Sequence, residues 1–328
     1  MNKLIFITVT FTFNLSVFSQ HALKHPDLKI DTSYTIYSAY NKYIKSYPQI
    51  SIAFYHPGNK IKIKSDLVYF SYGKRKMHLD LYEPLGKALK MRAAVVLVHG
   101  GGWSTGDKSL LSQYALALAD SGYVCICPEY RFSPEALYPA AVIDVINSVK
   151  WLFTQAKKYK IDTSRVAVMG SSAGGQLAAL VGVSYNKNIF DVTGKFSKQK
   201  IRINAIIDLD GVLAFIHPLS EEGGKPGKPG SAEKWFGVHY KIDSTKWIEA
   251  SALTYAGSDT PPCLFLASSF PRFNAGREDM IQIMNKYGIY SEKYIFNDAP
   301  HSFWLFNPWF EPTKAKILEF LRKIDKSL

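Results

Sequence analysis

A serine between two glycines stands where a strand-like run of the sequence gives way to a helix-like one. The sequence GSSAG at residues 170–174 places Ser172 directly after an apolar run and directly before a run of small residues. A glycine on each side lets a strand and a helix approach closely around a sharp turn that exposes the central serine. We therefore predict that Ser172 is a nucleophile, whereas Ser171 points elsewhere on the turn.

A second motif, HGGGW at residues 99–103, follows another buried strand-like run. Three successive glycines cost conformational entropy, which a purely structural loop seldom accepts. A loop that must turn its N–H groups toward a developing oxyanion needs that freedom. We predict an oxyanion hole formed by the N–H groups of Gly101, Gly102 and Ala173, with His99 as a hydrogen-bonded support for the loop.

One histidine is placed to act as a general base. Of the eight histidines, only His301 follows the last strand-like run, at residues 294–296. A base in that place completes the chain order of serine, acid and histidine. We predict that His301 activates Ser172, and the alternative is an ordinary surface histidine.

These motifs lie in a chain that alternates strand-like and helix-like runs. Strand-like runs lie at 67–72, 76–82, 93–98, 124–128, 165–169, 203–209 and 263–267, and the first two form a hairpin. Helical spacing occurs at 109–123, 139–155, 173–183, 277–287 and 313–324. The alternation predicts an α/β fold with a doubly wound, mostly parallel sheet, whose active site lies at the carboxyl ends of the strands.

Residues 213–260 break this alternation after the sixth strand-like run. A glycine- and proline-rich loop is followed there by aromatic residues in short helical pieces, which indicates a cap that shapes substrate binding. We expect one domain at 65–328 that carries this insertion. An N-terminal extension at 20–64 is expected to pack on it.

The first nineteen residues predict a signal peptide. Lys3 precedes an apolar run at 4–18, and Ser19 ends a sequence suited to cleavage before Gln20. An uncleaved membrane anchor is the alternative, but polar residues interrupt the run and it is short for a span. We expect a secreted or periplasmic protein with no stable membrane insertion after cleavage.

Charge and cysteine content limit the classes of partner. With 40 Lys and Arg against 27 acidic residues the net charge is +13. Outside the cytoplasm an acidic polysaccharide or anionic cell surface is a more plausible partner than nucleic acid, although a solvated basic surface is the alternative. Three cysteines cannot all pair, and Cys125 and Cys127 lack neighbouring ligands, so buried thiols and no metal are expected.

From about residue 66 to the end, the chain resembles the α/β-hydrolase superfamily, nearest its hormone-sensitive-lipase-like and polysaccharide-esterase branches. The motifs that carry the resemblance occur in the family's order: HGGGW at 99–103, PEYR at 128–131 and GSSAGG at 170–175. The resemblance implies hydrolysis of carboxylic esters through an acyl-enzyme on the serine, without a cofactor.

The acid of the triad departs from the family pattern. The superfamily usually carries an aspartate just after the seventh strand, and no acid follows residues 263–267 here. Some lipases of the superfamily place the acid after strand six, which favours Asp210. Glu278 and Asp279 remain the alternatives, although a charge at a helix start also has a structural explanation for Asp279.

The expected substrate is an ester of an acidic plant polysaccharide, most concretely pectin, because segments 271–277 and 303–310 look similar to bacterial pectin esterases. Arg272 lies where the superfamily acid is missing, and its guanidinium suits a planar carboxylate; Trp103 is the second substrate-binding residue. Alternatively, Arg272 pairs with an acid as structure, with Glu278, Asp279 or Asp210 as the partner. Rival functions are an acetylesterase for neutral polysaccharide such as xylan or for small esters, and a catalytically inactive binding module.

Overall fold

The computed structural model describes residues 33–86, 90–133, 135–190, 194–224 and 227–326. The expected signal peptide at 1–19 and the first part of the N-terminal extension lie outside these residues. Within the described ranges, no helix has the length and apolar character needed to cross a membrane.

The centre of the fold is a sheet of eight strands, which lie in the spatial order β1-β2-β4-β3-β5-β6-β7-β8. The strands are β1 Ile61–Tyr72, β2 Arg75–Pro84, β3 Arg92–Val98, β4 Val124–Pro128, β5 Ile161–Ser171, β6 Ala205–Leu209, β7 Cys263–Ser268 and β8 Ser291–Phe296. Strand β2 runs antiparallel to β1 and β4, and all the other neighbours are parallel. The predicted doubly wound, mostly parallel sheet is confirmed.

Helices separate the parallel strands and cover the sheet. They are α1 Ile36–Tyr43, α2 Ser112–Asp120, α3 Ala140–Thr154, α4 Ala156–Tyr159, α5 Ala173–Ser184, α6 Ser231–Phe236, α7 Thr245–Glu249, α8 Arg277–Lys286 and α9 Phe310–Lys326. The central strand β3 shows why both faces must be covered. Its Val96 and Val98 belong to one apolar core and its Val95 and Leu97 to the other, because successive side chains point to opposite faces.

The N-terminal part of the described chain is more regular than its sequence suggests. It forms α1 and a short strand, Ser51–Ile52, which pairs antiparallel with Phe306–Asn307 near the other end of the chain. The main sheet begins at Ile61, four residues before the boundary expected at residue 65. The extension therefore packs on the main domain and also leads directly into its first strand.

The insertion after β6 contains α6, α7 and a 3-10 turn, Ala252–Tyr255, before β7 begins. Its aromatic side chains Trp235, Phe236 and Trp247 are fully buried. The expected cap is thus a small layer of short helices whose aromatic side chains join the apolar core on one face of the sheet.

Candidate active site

The turn between β5 and α5 lifts Ser172 out of regular structure. Its φ of 53° and ψ of −123° lie outside both the strand and the helix regions. A Cβ on Gly170 would stand 2.0 Å from the carbonyl oxygen of Gly174, and one on Gly174 would stand 2.1 Å from that of Val98. Only glycine, which has no Cβ, allows this approach. The two glycines of the motif therefore make possible the turn in which Ser172 adopts its strained backbone conformation.

The three residues predicted as a triad lie within hydrogen-bonding distance in the expected order. Ser172 Oγ is 2.9 Å from His301 Nε2, and His301 Nδ1 is 2.9 Å from Asp210 Oδ2. The carboxylate fixes the tautomer in which Nδ1 carries the proton and Nε2 is free to accept one from the serine. These side chains come from the ends of β5 and β6 and from the loop after β8, at one edge of the sheet.

Asp210 is oriented by Ser268, a residue that was not predicted from the sequence. Its carboxylate accepts hydrogen bonds from the Ser268 N–H (2.7 Å) and the Ser268 hydroxyl (2.6 Å) in addition to His301. Ser268 ends β7, so it stands where the superfamily acid is usual and faces the neighbouring strand end. The available signal was that a serine, and not an apolar residue, follows the buried run Cys263–Ala267.

Neither alternative acid contacts His301. The carboxylate of Glu278 accepts from Lys293 and Arg277 on the protein surface. Asp279 is half exposed, and its carboxylate lies 3.2 Å from His217 Nε2.

A second buried carboxyl, Asp208, lies one pleat before Asp210 on the same strand. It accepts from the Gly211 N–H at 2.9 Å and so holds the turn that carries Asp210. Burial, and then the neighbouring negative charge of Asp210, raise the pKa of Asp208 well above its usual range. Asp208 therefore supports the turn and does not touch the histidine.

The glycine loop lies against the nucleophile. Gly101 and Gly102 have φ values of 130° and 58°, and a Cβ on Gly101 would stand 1.9 Å from the Thr105 carbonyl oxygen. A Cβ on Gly100 would stand 3.0 Å from that of Ser172. Gly102 and Ala173 line a cavity of about 50 Å³ together with Ser172, which brings this part of the predicted oxyanion hole to the serine.

His99 supports the loop from below, as its sequence position suggests. Its ring stacks on Tyr130 at 4.5 Å between centroids, and its Nδ1 lies 2.7 Å from the Gly100 carbonyl oxygen. The Tyr130 hydroxyl donates to the His99 carbonyl oxygen at 3.0 Å. Burial lowers the pKa of His99, so its ring is neutral at pH 7 and serves as packing.

Both predicted substrate-binding residues line the cavity beside Ser172. Trp103 is buried, donates from Nε1 to Gln176 at 2.9 Å and stacks on Trp235 of the cap at 4.8 Å. It is a fixed wall. Arg272 is 39% exposed, and its Nη2 donates to Glu222 at 2.6 Å, a partner that the sequence did not suggest.

The histidine ring is sandwiched by aromatic side chains. Phe273 stacks on His301 with ring centroids 3.6 Å apart, and Trp304 meets it edge-on at 5.2 Å. The Tyr114 hydroxyl donates to the Trp304 carbonyl oxygen at 3.1 Å. This packing restricts the ring to the plane that its two hydrogen bonds require.

The chain matches one family model and is similar to curated esterases and related proteins. The family model described as BD-FAE matches residues 79–269, which is more than half of the chain. A probable carboxylic ester hydrolase of Mycobacterium tuberculosis, LipM, is 28% identical over 61% of this chain and 46% of its own length. Arylacetamide deacetylase of Oryctolagus cuniculus is 34% identical over 40% of this chain and 34% of its own length. The chain thus spans less than half the length of these relatives.

Solved structures show the same fold over most of the chain. A truncated carbohydrate esterase from gut microbiota has a TM-score of 0.68 at 16% identity, covering 83% of this chain and 99% of that chain. Esterase Est2 of Thermogutta terrifontis has a TM-score of 0.64 at 24% identity, covering 82% of this chain and 93% of that chain. The predicted α/β-hydrolase fold is confirmed.

Proposed function

Since the chain belongs to the BD-FAE family, we propose that it hydrolyses carboxylic esters, with Ser172 as nucleophile, His301 as general base and Asp210 as the acid that orients the base. The observation that carries the proposal is the unbroken chain of hydrogen bonds from the Ser172 hydroxyl through His301 to a buried carboxylate. Its relatives support the same chemistry, since LipM carries the name of a probable carboxylic ester hydrolase.

Each group has a defined role in the proposed reaction. His301 Nε2 takes the proton of Ser172 Oγ as that oxygen attacks the ester carbonyl carbon, and the N–H groups of Gly101, Gly102 and Ala173 stabilise the oxyanion. The imidazolium then protonates the departing alcohol. A water molecule, deprotonated by His301, attacks the acyl-enzyme and releases the acid, and the proton returns to Ser172.

The size of the cavity beside Ser172 favours a small acyl group. Its volume is about 50 Å³, and Trp103, Val212 and Phe273 are among its walls. A space of this size favours a small acyl group such as acetyl over a large aromatic one such as feruloyl. This argues for an acetyl ester.

We extend the proposal to acetyl groups on an acidic polysaccharide such as pectin, acted on outside the cytoplasm. Arg272 supports it, because one guanidinium nitrogen is bound by Glu222 while the exposed part of the side chain remains at the cavity. A planar carboxylate of the polymer can take a second donor of the same fork. The net charge, +13 for the full sequence and +12 once Lys3 is removed with the signal peptide, adds long-range attraction to a polyanion.

A neutral polysaccharide such as xylan is the second candidate, and Glu222 is the observation that favours it. This carboxylate is 3% exposed and already balances the charge of Arg272. A substrate carboxylate bound there would also meet a negative neighbour. Under this alternative the ion pair shapes the cavity, and neutral sugar hydroxyls bind to it.

The test begins with hydrolysis of an activated acetyl ester by the pure protein, and no activity above buffer would leave a binding module. Wild type is then compared with Arg272→Ala on acetylated pectin and on acetylated xylan. Arg202→Ala is the control for loss of one charge, because Arg202 is exposed and precedes the amino end of β6. We expect Arg272→Ala to lose more activity on pectin than on xylan. Equal losses, or no preference for pectin in the wild type, select the neutral substrate.

Export is the remaining part of the proposal. Lys3, the apolar run after it and Ser19 favour cleavage before Gln20. Mass spectrometry of the protein from its native source is expected to show a mature chain beginning near Gln20, recovered outside the cytoplasm. Recovery of a chain that retains Met1 contradicts the proposal.

A further inference from the structure

The N-terminal segment, defined as residues 33–55, packs against the loop that carries His301 and against the residues that follow this loop. Its short strand pairs with Phe306–Asn307, and the Ala53 N–H donates to the Leu305 carbonyl oxygen at 3.0 Å. The ring of Tyr43 meets Phe306 at 6.4 Å between centroids. The chain just after the histidine is therefore enclosed by residues from the opposite end of the sequence.

Tyr34 makes the contacts closest to the chemistry. Its hydroxyl lies 3.0 Å from the hydroxyl of Ser302, the residue after His301. Its backbone N–H donates to Thr105 Oγ1 at 3.2 Å. Thr105 belongs to the glycine loop, where its own N–H donates to the Gly101 carbonyl oxygen at 3.1 Å.

The two loops joined by Tyr34 contain no helix and no strand at these points. Residues 297–302 and 99–105 form turns and irregular backbone, except that Thr105 itself makes a single β-bridge, and the two loops are about 200 positions apart in the chain. A tyrosine hydroxyl is protonated at neutral pH, and burial raises the pKa of Tyr34 further, to about 12. It can therefore donate a hydrogen bond to the Ser302 hydroxyl or accept one from it.

We propose that Tyr34 is a positioning residue that ties the histidine loop to the oxyanion loop, so that the active site depends on a segment that precedes the family match. The match covers residues 79–269. The inference rests on the proposed ester hydrolysis. It requires no contact between Tyr34 and substrate: the residue acts by holding His301 and the oxyanion donors in one geometry, and small displacements of such groups slow the chemical step.

The experiment compares Tyr34→Phe with Tyr37→Phe on an activated acetyl ester. Tyr37 lies on α1 and is 64% exposed, so its substitution removes the same hydroxyl without touching either loop. We expect Tyr34→Phe to lower kcat about threefold to tenfold, the range that one lost hydrogen bond explains, with KM unchanged. Tyr37→Phe should match the wild type. Urea unfolding of each variant shows that the assayed protein is folded.

A double-mutant cycle with Ser302→Ala separates positioning from general destabilisation. If the hydroxyl pair is the link, Tyr34→Phe has little further effect on kcat once the Ser302 hydroxyl is gone. Fully additive effects, or equal kcat values for Tyr34→Phe and Tyr37→Phe, overturn the proposal. A wild type that hydrolyses no ester would instead overturn the proposed function, so the two failures are distinguishable.

Discussion

The loops around Ser172 and the cap above them are held in place by different forces. The loops are fixed by close backbone approaches that only glycine allows and by short hydrogen bonds, such as those from Ser268 to Asp210. The cap is fixed by aromatic packing, with Trp235 stacked on Trp103 and Phe215 against Trp247. The catalytic geometry is thus set by backbone constraints and short hydrogen bonds together with the rings that pack on His301, whereas the shape of the binding cavity depends on the aromatic packing of the cap.

The largest effect is expected at the nucleophile. Ser172→Ala removes the oxygen that forms the acyl-enzyme, so we expect kcat on an activated acetyl ester to fall about 10⁶-fold with the fold intact. Ser171→Ala is the control, because this neighbour is buried on the same turn but lies outside the hydrogen-bonded triad. Similar losses in both variants, measured in the same assay, would contradict the assignment of Ser172.

The acid is expected to come next. Asp210→Asn leaves the shape unchanged but disturbs the tautomer of His301, so kcat should fall about 10⁴-fold. Asp279→Asn should have a small effect, because that carboxylate contacts His217 on the surface. Steady-state rates of the two variants decide the matter, and a reversed ranking moves the acid to the loop after β7.

Substitution in the cap should affect stability more than chemistry. Trp235→Ala empties a fully buried site, so we expect the free energy of unfolding to fall by about 3–5 kcal/mol. Ile242→Ala, at a cap position that is 81% exposed, should leave it unchanged. Urea unfolding measures the loss. The comparison between the two regions fails if folded Trp235→Ala loses as much kcat as Asp210→Asn.

The last prediction concerns the pH dependence of stability at Asp208. Because its pKa is raised in the folded state, the native protein binds more protons than the unfolded chain above the usual pKa of about 4. Stability from this group is therefore present below that pH and falls as the pH rises toward the folded pKa, by at most about 1.4 kcal/mol per pH unit. Asp208→Asn, which keeps an acceptor for Gly211, should lack this slope in urea unfolding at pH 4 to 8. Parallel curves for wild type and variant would contradict the buried, protonated carboxyl.

The features that could be predicted from sequence are those encoded by neighbouring residues. The glycines of GSSAG at 170–174 and HGGGW at 99–103 indicate the tight turns that these segments form. The apolar runs indicate the buried strands. Ser268 and Glu222 were missed as partners of Asp210 and Arg272, because those pairs lie 58 and 50 positions apart and meet only through strand order and cap folding.

The N-terminal extension also has structure that its local sequence does not predict. Residues 20–64 have no clean periodicity, yet α1 and the strand Ser51–Ile52 form within them. Their order comes from packing against Phe306 and Trp309, which are distant in sequence. Local preference alone could not indicate it.

The pairing of Ser51 with Asn307 joins residues 256 positions apart. Such a contact is among the last that a folding chain can close, because the whole intervening sheet must first bring the two ends together. The loop of His301 lies between Ser51 and Asn307 in the chain, just before the pairing residue Asn307. On refolding from denaturant, helical signal and burial of tryptophan should therefore return first, and hydrolytic competence should lag behind them until the two ends of the chain have met.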